Sequence, residues 1–126
     1  MTDQNQQTVM LTDVHGNEYH SNMWSVTAIL EHKYAGEVLL AFGISSAIKI
    51  PKSLNELIEK CNLNETAGFV TFTDPDNGDR ILLNAHKKPI FVARKYDDRI
   101  NIVYDNGIQI IVKEPANEVM QKLGMM

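Results

Sequence analysis

Four histidines, one cysteine and an acid-rich loop are the groups in this 126-residue chain best suited to metal binding or catalysis. His15, His20, His32 and His86 show neither the i, i+4 pairing that sets two imidazoles on one helical face nor the Cys/His spacing of a zinc site. His15 and His20 can approach across a hairpin, but two ligands do not make a site. The run Asp74-Pro75-Asp76-Asn77-Gly78-Asp79 has the composition of a calcium loop without its order. An EF-hand needs glycine sixth and glutamate twelfth, and here glycine is fifth and Ala85 twelfth. It reads as a turn. Cys61 falls on an apolar helical stripe, where a thiol behaves as a small hydrophobe. No serine sits in a nucleophile elbow and no glycine-rich phosphate loop is present. The expectation is a non-enzyme with no catalytic residue, no metal and no cofactor.

Recognition is the other chemistry these residue types can serve. Between positions 80 and 99 the chain carries Arg80, Lys87, Lys88, Arg94, Lys95 and Arg99 against only Asp97 and Asp98. Tyr96 interleaves an aromatic ring with those bases, as on a nucleic-acid surface. Net charge is −4, so the rest of the chain is distinctly acidic, and with a pI near 5.5 bulk charge does not draw the protein to a polyanion. The alternative reading is that these bases are solvated strand faces that discourage edge pairing. Trp24, beside Met23, is either a lid on one end of the core or an anchor in a protein interface, where tryptophan is enriched. The candidate partner-binding set is Trp24, Arg80, Lys87, Lys88, Arg94, Lys95, Tyr96 and Arg99.

The elements that must position these residues are short strands. A 44% apolar fraction is ordinary for a globular chain, and no run approaches the ~18 apolar residues of a membrane span. Residues 1–7 are polar, without a signal-peptide layout, and read as a flexible tail. The single cysteine fits a reducing compartment. Thr8–Thr12 and Glu18–Asn22 make a hairpin around His15-Gly16-Asn17. Ser25–His32 fits strand or helix periodicity; strand is favoured because Pro89–Tyr96, its counterpart, begins with proline and is rich in β-formers. Glu37–Phe42 and Ala47–Ile50 form a second hairpin around Gly43. Ser53 and Glu56 form a capping box before a helix with Leu54, Leu57, Ile58 and Cys61 on one face.

The second half follows the same order. Gly68–Thr73 and Arg80–Asn84 flank the acidic turn, Pro89–Tyr96 follows, and Asp97-Asp98 turns the chain. In the hairpin Arg99–Tyr104 and Ile108–Lys113, Asp105-Asn106-Gly107 predicts a type I′ turn. Ile100, Ile102 and Tyr104 share one face with Ile108, Ile110 and Val112. Pro115 is placed as the first residue of a helix bearing Val119, Met120 and Leu123 and ending at Gly124.

The correspondence between halves is positional. Thr12-Asp13 precedes Gly16 and Asn22, and Thr73-Asp74 precedes Gly78 and Asn84 at the same glycine-to-asparagine spacing. Gly43 stands eight residues before Pro51, and Gly107 eight before Pro115. Asn55-Glu56-Leu57-Ile58-Glu59-Lys60 matches Asn117-Glu118-Val119-Met120-Gln121-Lys122 in pattern. The chain is therefore expected to be an α+β protein of two tandem β-rich repeats. They would span residues 8–63 and 64–126, each of antiparallel hairpins closed by one short C-terminal helix, packed as one compact domain.

Ile81 to Leu123 carries Leu83-Asn84 at a strand end, Asp97-Asp98, the Asn106-Gly107 turn, Val112-Lys113-Glu114 and a helix from Asn117-Glu118-Val119. On these features it resembles the short flagellar protein FlbD (SwrD) family, which is single-copy. The first half resembles that family as a diverged repeat. The resemblance implies a small non-enzymatic accessory protein and carries over no catalytic residue. The leading functional expectation is a cytoplasmic accessory module, or a virion-associated one if phage-encoded. It would act through an unidentified protein partner or through its own copies, with no membrane. The alternative is a nucleic-acid-binding regulator using residues 80–99.

Overall fold

Several runs in this sequence are apolar on both strand faces instead of alternating, among them Val38–Phe42 and Ile81–Leu83. A strand with both faces covered reads that way. The computed structural model, which describes residues 8–64, 68–94 and 99–125, places both runs in a middle layer. Strands β1 (Thr8–Thr12) and β2 (Glu18–Asn22) form a hairpin; β3 (Ala28–His32), β4 (Glu37–Gly43) and β5 (Ser46–Ile50) form a meander; helix α1 (Leu54–Cys61) follows. The chain then runs through hairpin β6 (Phe69–Thr73) and β7 (Arg80–Asn84), meander β8 (Ile90–Ala93), β9 (Ile100–Val103) and β10 (Gln109–Val112), and helix α2 (Ala116–Lys122). The molecule is a compact α+β fold.

The five-stranded sheet has the order β5-β4-β3-β7-β6, so strands from both sides of Asn62–Asn64 share it. The join is antiparallel, with Ala28 opposite Leu83, Ile29 opposite Leu82 and Leu30 opposite Ile81. Alternation sends these residues to two cores. Ile29, Leu40 and Leu82 pack with Leu11 of β1 and with Leu54 and Leu57 of α1. Ala28, Phe72 and Leu83 pack with Ile100, Ile102 and Val112 of the other meander and with Val119 of α2. The layers are thus β1-β2 with α1, the five-stranded sheet, and β8-β9-β10 with α2. Fully burying a leucine of this kind contributes about 1.5–3 kcal/mol.

Local signals act where expected, with small corrections. Ser53 Oγ accepts from the Glu56 amide at 3.2 Å, and the Glu56 carboxylate accepts from the Ser53 hydroxyl at 3.2 Å. The strand anticipated over Ser25–His32 begins at Ala28, because Met23–Ser25 coils into a 3-10 turn. Pro115 is the N-cap, with extended ψ of 165°, and the helix starts one residue later. The Asn106-Gly107 turn is not type I′, since Gly107 takes positive φ (95°) and Asn106 does not. The Gly107 amide donates to Tyr104 O at 3.1 Å and the Tyr104 amide to Ile108 O at 2.9 Å, which is a three-residue loop with a glycine bulge. The reason lies in the Asn106 side chain, whose amide donates to Thr27 and Phe42. Asp97-Asp98 lies outside the described residues.

Candidate functional site

The strand registers gather four loops at one end of the molecule. Ala28 lies opposite both Ala41 and Leu83, and Phe69 opposite Asn84. The segments beyond those residues therefore sit side by side: 22–27, 43–46 and 84–89. The β9-β10 tip joins them, because Asn106 Nδ2 donates to Thr27 Oγ1 at 2.8 Å and to Phe42 O at 3.2 Å. Asn106 Oδ1 accepts from the Ile108 amide at 3.1 Å. Gly107 packs on Ile44, whose Cδ1 would be 3.3 Å from an added Cβ.

Asn84 is the hub of this end. It is fully buried, and every polar group it carries is matched, as burial requires. Its Nδ2 donates to Trp24 O at 3.0 Å and Val26 O at 2.9 Å, and its Oδ1 accepts from the His86 amide at 2.9 Å. Its backbone N–H donates to Thr27 O, and its carbonyl accepts from Tyr104 Oη at 2.9 Å. Burial raises the Tyr104 hydroxyl pKa, so it stays a neutral donor.

From that rigid base a short 3-10 turn, Ala85–Lys87, projects His86, Lys87 and Lys88. His86 and Lys88 are exposed and Lys87 is half-exposed. Lys88 has φ of 50°, a left-handed conformation that costs a non-glycine residue roughly 1 kcal/mol or more. It is held there by its amide donating to Ala85 O at 3.2 Å and by buried Pro89 after it. The His86 ring lies 5.3 Å from the Trp24 ring at 47°. A Cβ at Gly68, where φ is 92°, would collide with the His86 imidazole. Across the loops 22–27, 43–46, 84–89 and 104–108, the formal charges are Lys87, Lys88 and Asp105. This end can present cations to an anion. Beside it an open depression of about 550 Å³ lies between Gly68, Ala85, His86 and the end of α2. Lys122 is committed there, donating to Thr71 O at 2.6 Å and lying over the Phe72 ring.

The basic stretch 80–99 is not one surface. β7 runs five residues from Arg80 to Asn84, which separates its ends by roughly 13 Å. Arg80 sits at the far end in a structural pair: its Nη2 donates to Glu31 Oε2 at 2.8 Å, its Nε to Oε1 at 3.3 Å and its amide to Oε1 at 2.9 Å. Burial alone would raise the Glu31 pKa, but the Arg80 hydrogen bonds outweigh it and hold the carboxyl below its usual range. Arg99 is also at the far end, 3.0 Å from Asp76, and the exposed Arg94 donates its amide to Arg99 O. Lys95 and Tyr96 lie outside the described residues. Trp24 is half-buried on the 3-10 turn, with its indole N–H buried and without a hydrogen-bond partner. The structure thus brings Trp24, Lys87 and Lys88 to one end and leaves Arg80, Arg94 and Arg99 at the other. Besides Lys33–Ala35, sequence reasoning missed the two 3-10 turns at this end, Met23–Ser25 and Ala85–Lys87. Their signal was the asparagine at equal offsets from Gly16 and Gly78, since Asn22 and Asn84 each accept from an amide two residues on, at 2.9 Å. Among the described residues, no three His, Cys, Asp or Glu side chains converge as metal ligands. Among them, too, no helix is long and apolar enough to cross a membrane.

No family model matches the chain, and no curated protein matches it. Among solved structures, it is similar to a Bacillus cereus LytTr DNA-binding domain from a protein described as a methyl-accepting/DNA response regulator. The TM-score is 0.63, covering 94% of this chain and 97% of that one, at 14% identity. The likeness is one of fold.

Proposed function

We propose that this protein is a non-enzymatic nucleic-acid-binding module that grips the phosphate backbone of duplex DNA through Lys87 and Lys88. The observation that carries the reading is the tip formed by half-exposed Lys87 and exposed, left-handed Lys88, faced on its own loop cluster only by Asp105. The fold likeness to a domain named for DNA binding, over nearly the whole of both chains, supports duplex DNA as the polyanion. Fold by itself does not carry function, so the test falls on the lysines. Two phosphate contacts give a log–log salt slope of about −2, a weak backbone grip that the acidic remainder of the chain opposes. Fluorescence anisotropy with a short labelled duplex across a salt series should show that slope. Lys87→Glu with Lys88→Glu should abolish it, whereas Arg80→Ala should not. No binding at the lowest salt would overturn the proposal.

A second reading, contact with a protein partner or another copy, is favoured by the exposure of Ile44 (76%), Ile90 (63%) and Val92 (47%). We also read the chain as two diverged copies of one unit, 8–63 and 64–126. The order hairpin, 3-10 turn, meander, helix occurs twice. Asp13 and Asp74 each accept an amide two residues on, at 2.9 and 2.8 Å. A cytoplasmic accessory protein of the FlbD/SwrD type, in duplicate, agrees with that reading.

A further inference from the structure

The chain builds one five-stranded sheet by joining the first meander, β5-β4-β3, to the second hairpin, β7-β6. The complementary pieces, meander β10-β9-β8 and hairpin β2-β1, stand apart as separate sheets. They cannot meet within one molecule. Leu11 of the β1-β2 hairpin packs in the core on one face of the central sheet, and Phe91 of β8 packs in the core on the other. Face-to-face layers lie about 10 Å apart, so the two pieces are roughly 20 Å from each other. We propose that the edge of β8 pairs antiparallel with the edge of β2 from a second copy, completing a sheet β10-β9-β8-β2-β1 across two molecules.

The junction already present supplies the register. Asn22 and Asn84 occupy the same place before their 3-10 turns, so β3 corresponds to β8 and β7 to β2. Ala28–Leu83, Ile29–Leu82 and Leu30–Ile81 then translate to Ile90–Ser21, Phe91–His20 and Val92–Tyr19, the second residue of each pair coming from the other copy. Faces match as well. Tyr19 lies opposite the buried Leu11 and so points toward its own core. Val92 and Ile90, exposed on the outer face of β8, would lie on that side of the composite sheet and be covered by the second molecule. Met10, 44% exposed and opposite His20, would be covered by the first. The joined sheet would lie between two cores, as the central sheet does. Beyond Val92–Tyr19, the same register sets Glu18 opposite Ala93, where the existing junction sets Arg80 against Glu31.

Edge chemistry points the same way. The outer edge of β6 is closed: Thr71 O accepts from Lys122, Thr73 O from the Lys113 amide, and the Thr73 amide donates to Glu114. Among the described residues, the backbone of β8 pairs only with β9 and that of β2 only with β1. β8 reads Ile-Phe-Val-Ala, without the charge that blunts an edge strand. The pairing is head-to-tail, so association should grow with concentration instead of stopping at a fixed symmetric contact.

The test mixes a Val92→Cys protein with a Tyr19→Cys protein under mild oxidation, mapping disulfides by peptide mass. The expected product is a disulfide between the two introduced thiols, one from each variant, at least ten-fold over the off-register Ile90→Cys with Tyr19→Cys mixture. Equal yields, links through the native Cys61, or a predominant Val92→Cys self-link (two β8 edges paired) would overturn the proposal. Sedimentation velocity of the unmodified protein should show mass rising with concentration, and Val92→Lys should suppress it. A monomer throughout overturns the pairing. Lys87→Glu with Lys88→Glu should leave association unchanged, which separates this outcome from that of DNA binding.

Discussion

Replacing Arg80 with alanine should destabilise the fold by about 2 kcal/mol while leaving nucleic-acid binding untouched. Glu31 is 7% exposed and accepts three hydrogen bonds from Arg80, two from the guanidinium and one from the amide. Alanine removes the two guanidinium contacts and keeps the third. A hydrogen bond to a charged group contributes about 1.5–3 kcal/mol, and stranding a fully buried ion costs about 3–5. The Arg80 side chain is 38% exposed, so solvent screens the pair and the low end applies. Glu31→Gln should cost less, because the arginine it frees can turn to water. Urea unfolding read by Trp24 fluorescence measures both and their double-mutant coupling. The pH dependence has a definite sign. The Glu31 pKa is depressed in the fold, so its contribution is present above the unfolded value of about 4.3 and is lost as pH falls through the folded value. The gap between wild type and Arg80→Ala must therefore shrink below about pH 4. A gap under about 0.5 kcal/mol at neutral pH, or one unchanged in acid, would refute the assignment of Arg80 to structure.

Asn84→Ala should cost about 3 kcal/mol, since it orphans the carbonyls of Trp24 and Val26 and removes the cap on the His86 amide; calorimetry would show a lowered Tm. Gly68→Ala should cost about 2 kcal/mol from its positive φ and its collision with His86, and the Trp24 emission spectrum should shift as His86 moves. Lys88→Gly should stabilise by about 0.5–1 kcal/mol in urea unfolding while reducing the salt slope of DNA binding by about 1, because the left-handed strain and one phosphate contact leave together.

Local chemistry made much of this fold readable. Leu54, Leu57 and the Ser53 cap specify α1, and the alternating isoleucines of β9 and β10 do face the core. What eluded sequence reading is set by partners distant along the chain. Asn106 gives up the conformation an Asn-Gly pair prefers because Thr27 and Phe42, far from it in sequence, accept its amide. Arg80 looks like a free base until Glu31, 49 residues earlier, is placed opposite it. The basic run looked like one face because its residues are neighbours in sequence, yet β7 carries its members to opposite ends. Three residues carry no periodicity, so the sequence marks the 3-10 turns at this end only by the asparagines that cap them, Asn22 and Asn84.

The β3–β7 join has a consequence during synthesis. β3 is complete by His32 and gains β4 on one edge soon after, but β7, its neighbour on the other edge, does not exist until Asn84 has been made. At about 5–20 residues per second, the nascent chain holds the edge of Ala28-Ile29-Leu30 uncovered for roughly three to ten seconds. An apolar edge of that kind can recruit other strands in the meantime. Polysome-bound chains stalled before Arg80 should therefore be the aggregation-prone species, and those released past Asn84 should not. Fusing a solubilising partner upstream would protect that interval, whereas slowing translation within residues 51–79 would lengthen it.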